Sequence, residues 1–128
     1  MAGSSGSLHE NESVLKPETI ERHRAVVSIM EELEAIDWYD QRIDAATDQE
    51  LKELLAHNRD EEKEHASMML EWLRRHDPKL DEHLRTYLFT NKRLLEVEEE
   101  AEGPAENKSG GDESSSSDGS LGIGSLRK

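Results

Sequence analysis

Two glutamates stand where aliphatic side chains belong, and that misplacement constrains this chain more than any other feature. Ala25, Ile29, Glu32, Ile36, Tyr39 and Ile43 recur at alternating four- and three-residue steps, the spacing of one helical face. Leu51, Leu55, Asn58, Glu62, His65, Met69, Trp72 and His76 keep the same rhythm. Such a stripe is buried against another helix, where an unpaired carboxylate costs several kcal/mol. Each intrusion therefore calls for a cation. The chain's one Glu-x-x-His, Glu62-Lys63-Glu64-His65, places a carboxylate and an imidazole on one side of a helix, within reach of a single ion.

Local signals set the two stripes on two helices joined by a short turn. Pro17, followed by Glu18 and Glu21, suits the first turn of a helix, where proline's missing amide is no loss and acids meet the positive end of the dipole. This helix runs to about Ala45. Thr47-Asp48-Gln49-Glu50 matches a capping box, so a second helix begins at once and continues to about His76. Asp77-Pro78 then supplies a cap and a first-turn proline for a third, shorter helix carrying Leu80, Leu84, Tyr87 and Leu88. A tight hairpin imposes a register: Glu32 lies about 15 residues before the turn centre and Glu62 about 15 after it, at one height. Di-iron carboxylate bundles use a Glu from each of two helices and Glu-x-x-His from each of the other two. This chain carries half of that set. A two-fold axis supplies the other half, giving four carboxylates and two imidazoles whose charge of about -4 balances two divalent irons. The predicted fold class is all-α: an antiparallel two-helix hairpin plus a short third helix, with a four-helix ferritin-like bundle completed across a dimer.

Composition narrows the partners. The chain has 128 residues, and its Gly/Ser-rich ends leave a thin foldable core from Pro17 to Asn91. With 30 acidic against 16 basic residues and a formal charge of -14, it repels nucleic acid and anionic membrane surfaces and concentrates cations. Without cysteine, only histidine and carboxylate are left to ligate metal, which fits a reducing cytosol. A signal-peptide pattern and a membrane-length apolar run are both missing, so the chain is expected to be soluble and unexported. Four segments follow: a disordered N-terminus over 1–13, the helical domain over 14–91, an acidic Ser/Gly-rich linker over 92–118, and a docking peptide over 119–128. Within the linker, Glu96 to Glu102 reads as frayed helix. In the peptide, Leu121, Ile123 and Leu126 are spaced aliphatic anchors, and Gly122 and Gly124 let the backbone approach a wall closely.

Around the carboxylate pair, Glu31 and Glu34 share a face adjacent to Glu32 and read equally as solvated acids or as a second cation site. Tyr39 lies two helical turns from Glu32 on its own stripe, placed to hydrogen-bond a ligand, and Trp38 is its aromatic neighbour. His57, His76 and His83 lack an equally placed carboxylate and read as surface or helix-end residues; His23, one step off the stripe, fits either reading.

The segments EELEAIDWYDQR at 31–42, HNRDEEKEHASMMLEWLRR at 57–75, HLRTYLFT at 83–90 and GSLGIGSL at 119–126 closely resemble the encapsulated ferritins, cargo proteins of bacterial encapsulin nanocompartments. The resemblance implies hairpin subunits that meet in pairs at a di-iron ferroxidase centre, and a ring of five such dimers without a ferritin's closed cavity. Mineral is then stored in the encapsulin shell, within the bacterial cytoplasm. The family's centre matches Glu32, Glu62 and His65, its ion-admission site matches Glu31 and Glu34, and its neighbouring aromatics match Trp38 and Tyr39. Calcium or another divalent cation is the expected ligand of that secondary site. The implied function is oxidation of Fe(II) to Fe(III) with O2, with Leu121, Ile123 and Leu126 addressing the protein to the shell. The alternative is a non-catalytic, metal-bridged cargo or scaffold. The acidic stretch around Glu96 to Glu106 has no counterpart in the family pattern.

Overall fold

The computed structural model describes residues 6–103. Leu121, Ile123 and Leu126, and the expected linker from residue 104 onward, lie outside them. A 3-10 helix (Glu12–Val14) precedes four α-helices: α1 (Pro17–Ala45), α2 (Gln49–Arg75), α3 (Pro78–Tyr87) and α4 (Leu94–Glu102). The described residues contain no strand, and the fold is all-α. Two compact units divide the chain, the first ending at His76 and the second beginning at Asp77.

The first unit is the antiparallel hairpin of α1 and α2. Pro17 occupies the first turn of α1, and Ala46 closes its far end by donating to the Arg42 carbonyl at 2.8 Å. The cap of α2 is Asp48, not Thr47: the Asp48 carboxylate accepts from the Leu51 amide at 2.9 Å. A carboxylate satisfies that amide as a hydroxyl does, and its charge also meets the positive helix end. Polar ties from arginine cross the hairpin. Arg59 Nη1 donates to Asp40 Oδ1 at 3.0 Å, and at the open end Arg22 Nη1 donates to the His76 carbonyl at 3.4 Å.

All six residues of the α1 stripe turn inward, Ala25 buried and Ile29, Glu32, Ile36, Tyr39 and Ile43 partly covered. On α2 the expected stripe is only half covered. Leu55, Glu62, Met69 and Trp72 are shielded, whereas Leu51, Asn58, His65 and His76 are exposed. The covered face runs instead through Ala56, Arg59, Ala66, Leu70 and the buried Leu73. The exposed Leu51, Asn58 and His65 recur every seven residues along one edge of the stripe, so α2 is rolled about its axis, with small Ala56 and Ala66 on its covered side.

In the second unit, Asp77 caps α3 by accepting from the Leu80 amide at 3.1 Å, and α4 is the helical neighbour of α3. The run expected as frayed helix in the 92–118 linker is thus an ordered helix of nine residues, ended by Gly103 at φ 72°. Val97 is the residue it buries, while Leu94 and Ala101 at the same helical spacing stay exposed. Tyr87 lies against α4, where burial first, and then Glu98 and Glu102, raise its phenol above the usual range. At the other end, residues 12–14 are helical within a stretch whose composition reads as disordered through residue 13, because the Asn11 side chain accepts from the Ser13 amide at 2.9 Å.

The buried apolar residues among those described are Ala25, Leu73 and Val97. A single hairpin layer encloses no core of its own. Val26, Met30 and Leu33 on α1, and Leu51, Leu54 and Met68 on α2, remain exposed. For the cap of α2, Asp48→Ala is expected to lower stability by about 1 kcal/mol in urea unfolding, with Thr47→Ala within about 0.5 kcal/mol of the parent.

Candidate metal centre

Equal distances from the turn bring Glu32 of α1 level with Glu62 of α2, and one further turn of α2 swings His65 over both. His65 Nδ1 lies 3.7 Å from Glu32 Oε1 and 3.6 Å from Glu62 Oε1. Both separations exceed a hydrogen bond. One ligand atom from each of the three falls within 4.8 Å of the others, and this is the one such group among the described residues. Ligands of a divalent ion, each about 2.0–2.2 Å from it, stand at most about 4.4 Å apart, so a slight inward shift closes the site. The donor set, two carboxylates and an imidazole without a thiol, suits iron, manganese or zinc.

Electrostatics single out the same place. The Glu32 carboxyl is held above its ordinary value of 4.5, first by a side-chain hydrogen bond with Glu62, then by burial and by the Glu62 charge, with Glu31 adding and His65 opposing. A hydrogen bond between two carboxylates needs a proton between them, and a metal cation can take its place. The roll of α2 leaves the group on an open flank: the Glu32 and Glu62 side chains are 23% and 26% exposed, but His65 is 46% exposed. Leu51, Leu54 and Met68 are exposed on the His65 side of α2.

The neighbours divide differently from the sequence reading. Glu31 and Glu34 are both exposed, and Glu31 reaches the centre only through its charge on Glu32. Trp38 is exposed and Tyr39 partly covered, and both rings lie under one cation: the Arg42 guanidinium is 5.9 Å from the Trp38 centroid and 5.5 Å from that of Tyr39. Sequence reasoning passed over Arg42, although its i+3 and i+4 spacing to Tyr39 and Trp38 was the available signal. His57 pairs with Glu61 at 3.2 Å, and His76 stacks on Trp72 with centroids 3.8 Å apart.

The raised Glu32 carboxyl gives a signed pH dependence. The folded state holds that proton more tightly than the unfolded chain, so this contribution is complete below the ordinary 4.5 and is lost as pH rises through the higher folded value. In chelator at neutral pH, Glu32→Gln is therefore expected to unfold at the same temperature as the parent or higher, with the difference shrinking at acid pH. Added divalent cation reverses the order, because only the parent keeps the full ligand set. Thermal melts at two pH values with and without metal check both signs.

Residues 7–91 match the EncFtn-like protein family. The chain is 63% identical over 131 residues to an encapsulated ferritin-like protein of Rhodospirillum rubrum, covering 99% of this chain and 92% of the relative. It is 52% identical over 102 residues to a ferritin-like protein of Thermotoga maritima, covering 80% of this chain and 90% of that one. A crystal structure of a Nitrosomonas europaea protein superposes with a TM-score of 0.67 at 57% identity, over 69% of this chain and 97% of that chain. A hairpin with this carboxylate and histidine group, matched in sequence nearly end to end, belongs to the EncFtn-like family, the encapsulated ferritin-like proteins.

Proposed function

We propose that this protein is a ferroxidase that oxidises Fe(II) to Fe(III) with O2 at a di-iron centre shared by two copies of the chain. The observation that carries the proposal is the convergence of Glu32, Glu62 and His65 on the open flank of a hairpin that encloses no core. Fe(II) is the substrate. Glu32 and His65 bind as terminal ligands, and Glu62, between them, bridges to a second ion. The partner copy brings the same three residues, so that four carboxylates balance two divalent charges, and it also covers exposed Leu51, Leu54 and Met68. Glu31 and Glu34, with divalent cations such as calcium as a second ligand, raise the local Fe(II) concentration on the approach. Trp38 and Tyr39, held by Arg42, shape the wall beside it.

Five dimers in a ring complete the assembly in this reading, and residues 119–128 dock it inside an encapsulin shell in the bacterial cytoplasm, where ferric product is stored. Leu121, Ile123 and Leu126 are the anchors. Their support is the spaced aliphatic pattern and the name of the Rhodospirillum rubrum relative. No described helix is long and apolar enough to cross a membrane. The competing reading, a metal-bridged scaffold without turnover, rests on the same three ligands and differs in consuming no oxygen.

Stopped-flow oxidation of Fe(II) separates the two. Glu32→Ala, Glu62→Ala and His65→Ala are each expected to slow it at least about tenfold, the loss seen even for groups that only support a metal ligand. Undiminished rates in all three would sink the assignment. Native mass measurement tests the shared site: the chain should gain mass as a dimer or larger on adding Fe(II) to chelator-treated protein, and a chain that stays monomeric with metal has no shared centre. Co-expression with the cognate shell protein tests the tail, and truncation after Ser120 is expected to abolish loading.

A further inference from the structure

The second unit carries an apolar surface that the metal centre does not use. Just after α3, Leu88 is exposed and Phe89 is 77% exposed, and in the first turn of α4 Leu94 is 60% and Leu95 77% exposed. Phe89 also sits at φ 66°, a left-handed backbone that a bulky residue rarely adopts. A strained, solvent-facing aromatic among exposed leucines marks a surface that something covers. The helix bordering it is acidic throughout, with Glu96, Glu98, Glu99, Glu100 and Glu102 in α4. An occupant must therefore be apolar and basic.

One segment of this chain has that composition and is within reach. We propose that the C-terminal segment Leu121–Lys128 docks on the Phe89, Leu94 and Leu95 surface of its own chain. Leu121, Ile123 and Leu126 meet the apolar side chains, and Arg127 and Lys128 meet the α4 glutamates. The tether is Gly103 to Ser120, eighteen residues rich in Ser and Gly. A chain of that composition spans about 5–6 Å × √n, here about 21–25 Å, against about 13 Å for the whole of α4. Such a tether gives an effective concentration in the millimolar range, above that of any separate chain. A second copy pairing the same surface symmetrically would bring glutamates against glutamates. This assignment concerns the isolated chain and holds whether or not the segment also addresses a shell. Where it does, docking on α4 keeps the address covered until a competing wall displaces it.

The absence of cysteine allows a direct test in the full-length chain. Leu95→Cys with Ser125→Cys places one thiol on the surface and one in the segment. In a glutathione buffer, the intrachain disulfide is expected to form at least about tenfold faster than in the same pair carrying Ile123→Ser, Arg127→Glu and Lys128→Glu. Phe89→Asn, which removes the aromatic at a conformation asparagine tolerates, is expected to slow it from the other side. Equal rates in all three chains would overturn the proposal. So would a disulfide that joins two chains in preference to one within a chain, which assigns the surface to a second copy. Iron oxidation is not read in this experiment, so failure of the ferroxidase reading leaves it standing.

Discussion

Two carboxylates face each other across a helical hairpin, and the energy of that encounter organises what lies around it. Without a cation, the hydrogen bond with Glu62, partial burial and the Glu62 charge raise the Glu32 carboxyl above its ordinary value, while His65 draws against them. Helices of this length could bury an aliphatic pair at that height at no such cost. Keeping the carboxylates there costs stability and leaves, among the described residues, the one group of three ligand atoms close enough to hold an ion. The rigid frame makes this possible: the capped start of α2, the Asp40–Arg59 tie and the Arg22 bond to the His76 carbonyl fix the register that holds the pair level.

The thin core and the open metal group are two aspects of one geometry. Because α2 rolls so that Ala56, Ala66 and Leu73 face α1, His65 is turned to the flank beside exposed Leu51, Leu54 and Met68. A site formed from one hairpin is therefore half-walled, with polar ligands in the middle and apolar residues around them. The proposed dimer answers both shortages with one contact, and metal binding then becomes linked to assembly. The chain's formal charge of -14 opposes that contact in the metal-free state and draws cations to it.

The second unit shows how much order a short acidic segment can reach. Val97 is buried in α4 despite five glutamates in nine residues, and Lys92 is bound to Glu100 at 2.9 Å. Composition alone reads this stretch as linker because it weighs charge and ignores the single apolar residue, Val97, that becomes buried. The cap of α2 differs for a local reason: the Thr47-x-x-Glu50 pattern fits a capping box, but Asp48, one residue later, starts the helix and its carboxylate accepts from the Leu51 amide.

The sequence by itself determined the helical class, the two long helices and their turn, and the levelling of Glu32 with Glu62, because each follows from periodicity and from counting residues along a rod of fixed rise. It also pointed to His65, since i and i+3 share a side of any helix. Only the tertiary structure decided how far α2 is rolled about its axis. That angle depends on which side chains interlock across the hairpin, on small Ala56 and Ala66 and on Arg59 reaching Asp40, contacts between residues distant in the chain. It turns His65 outward, and with it the open side of the metal group.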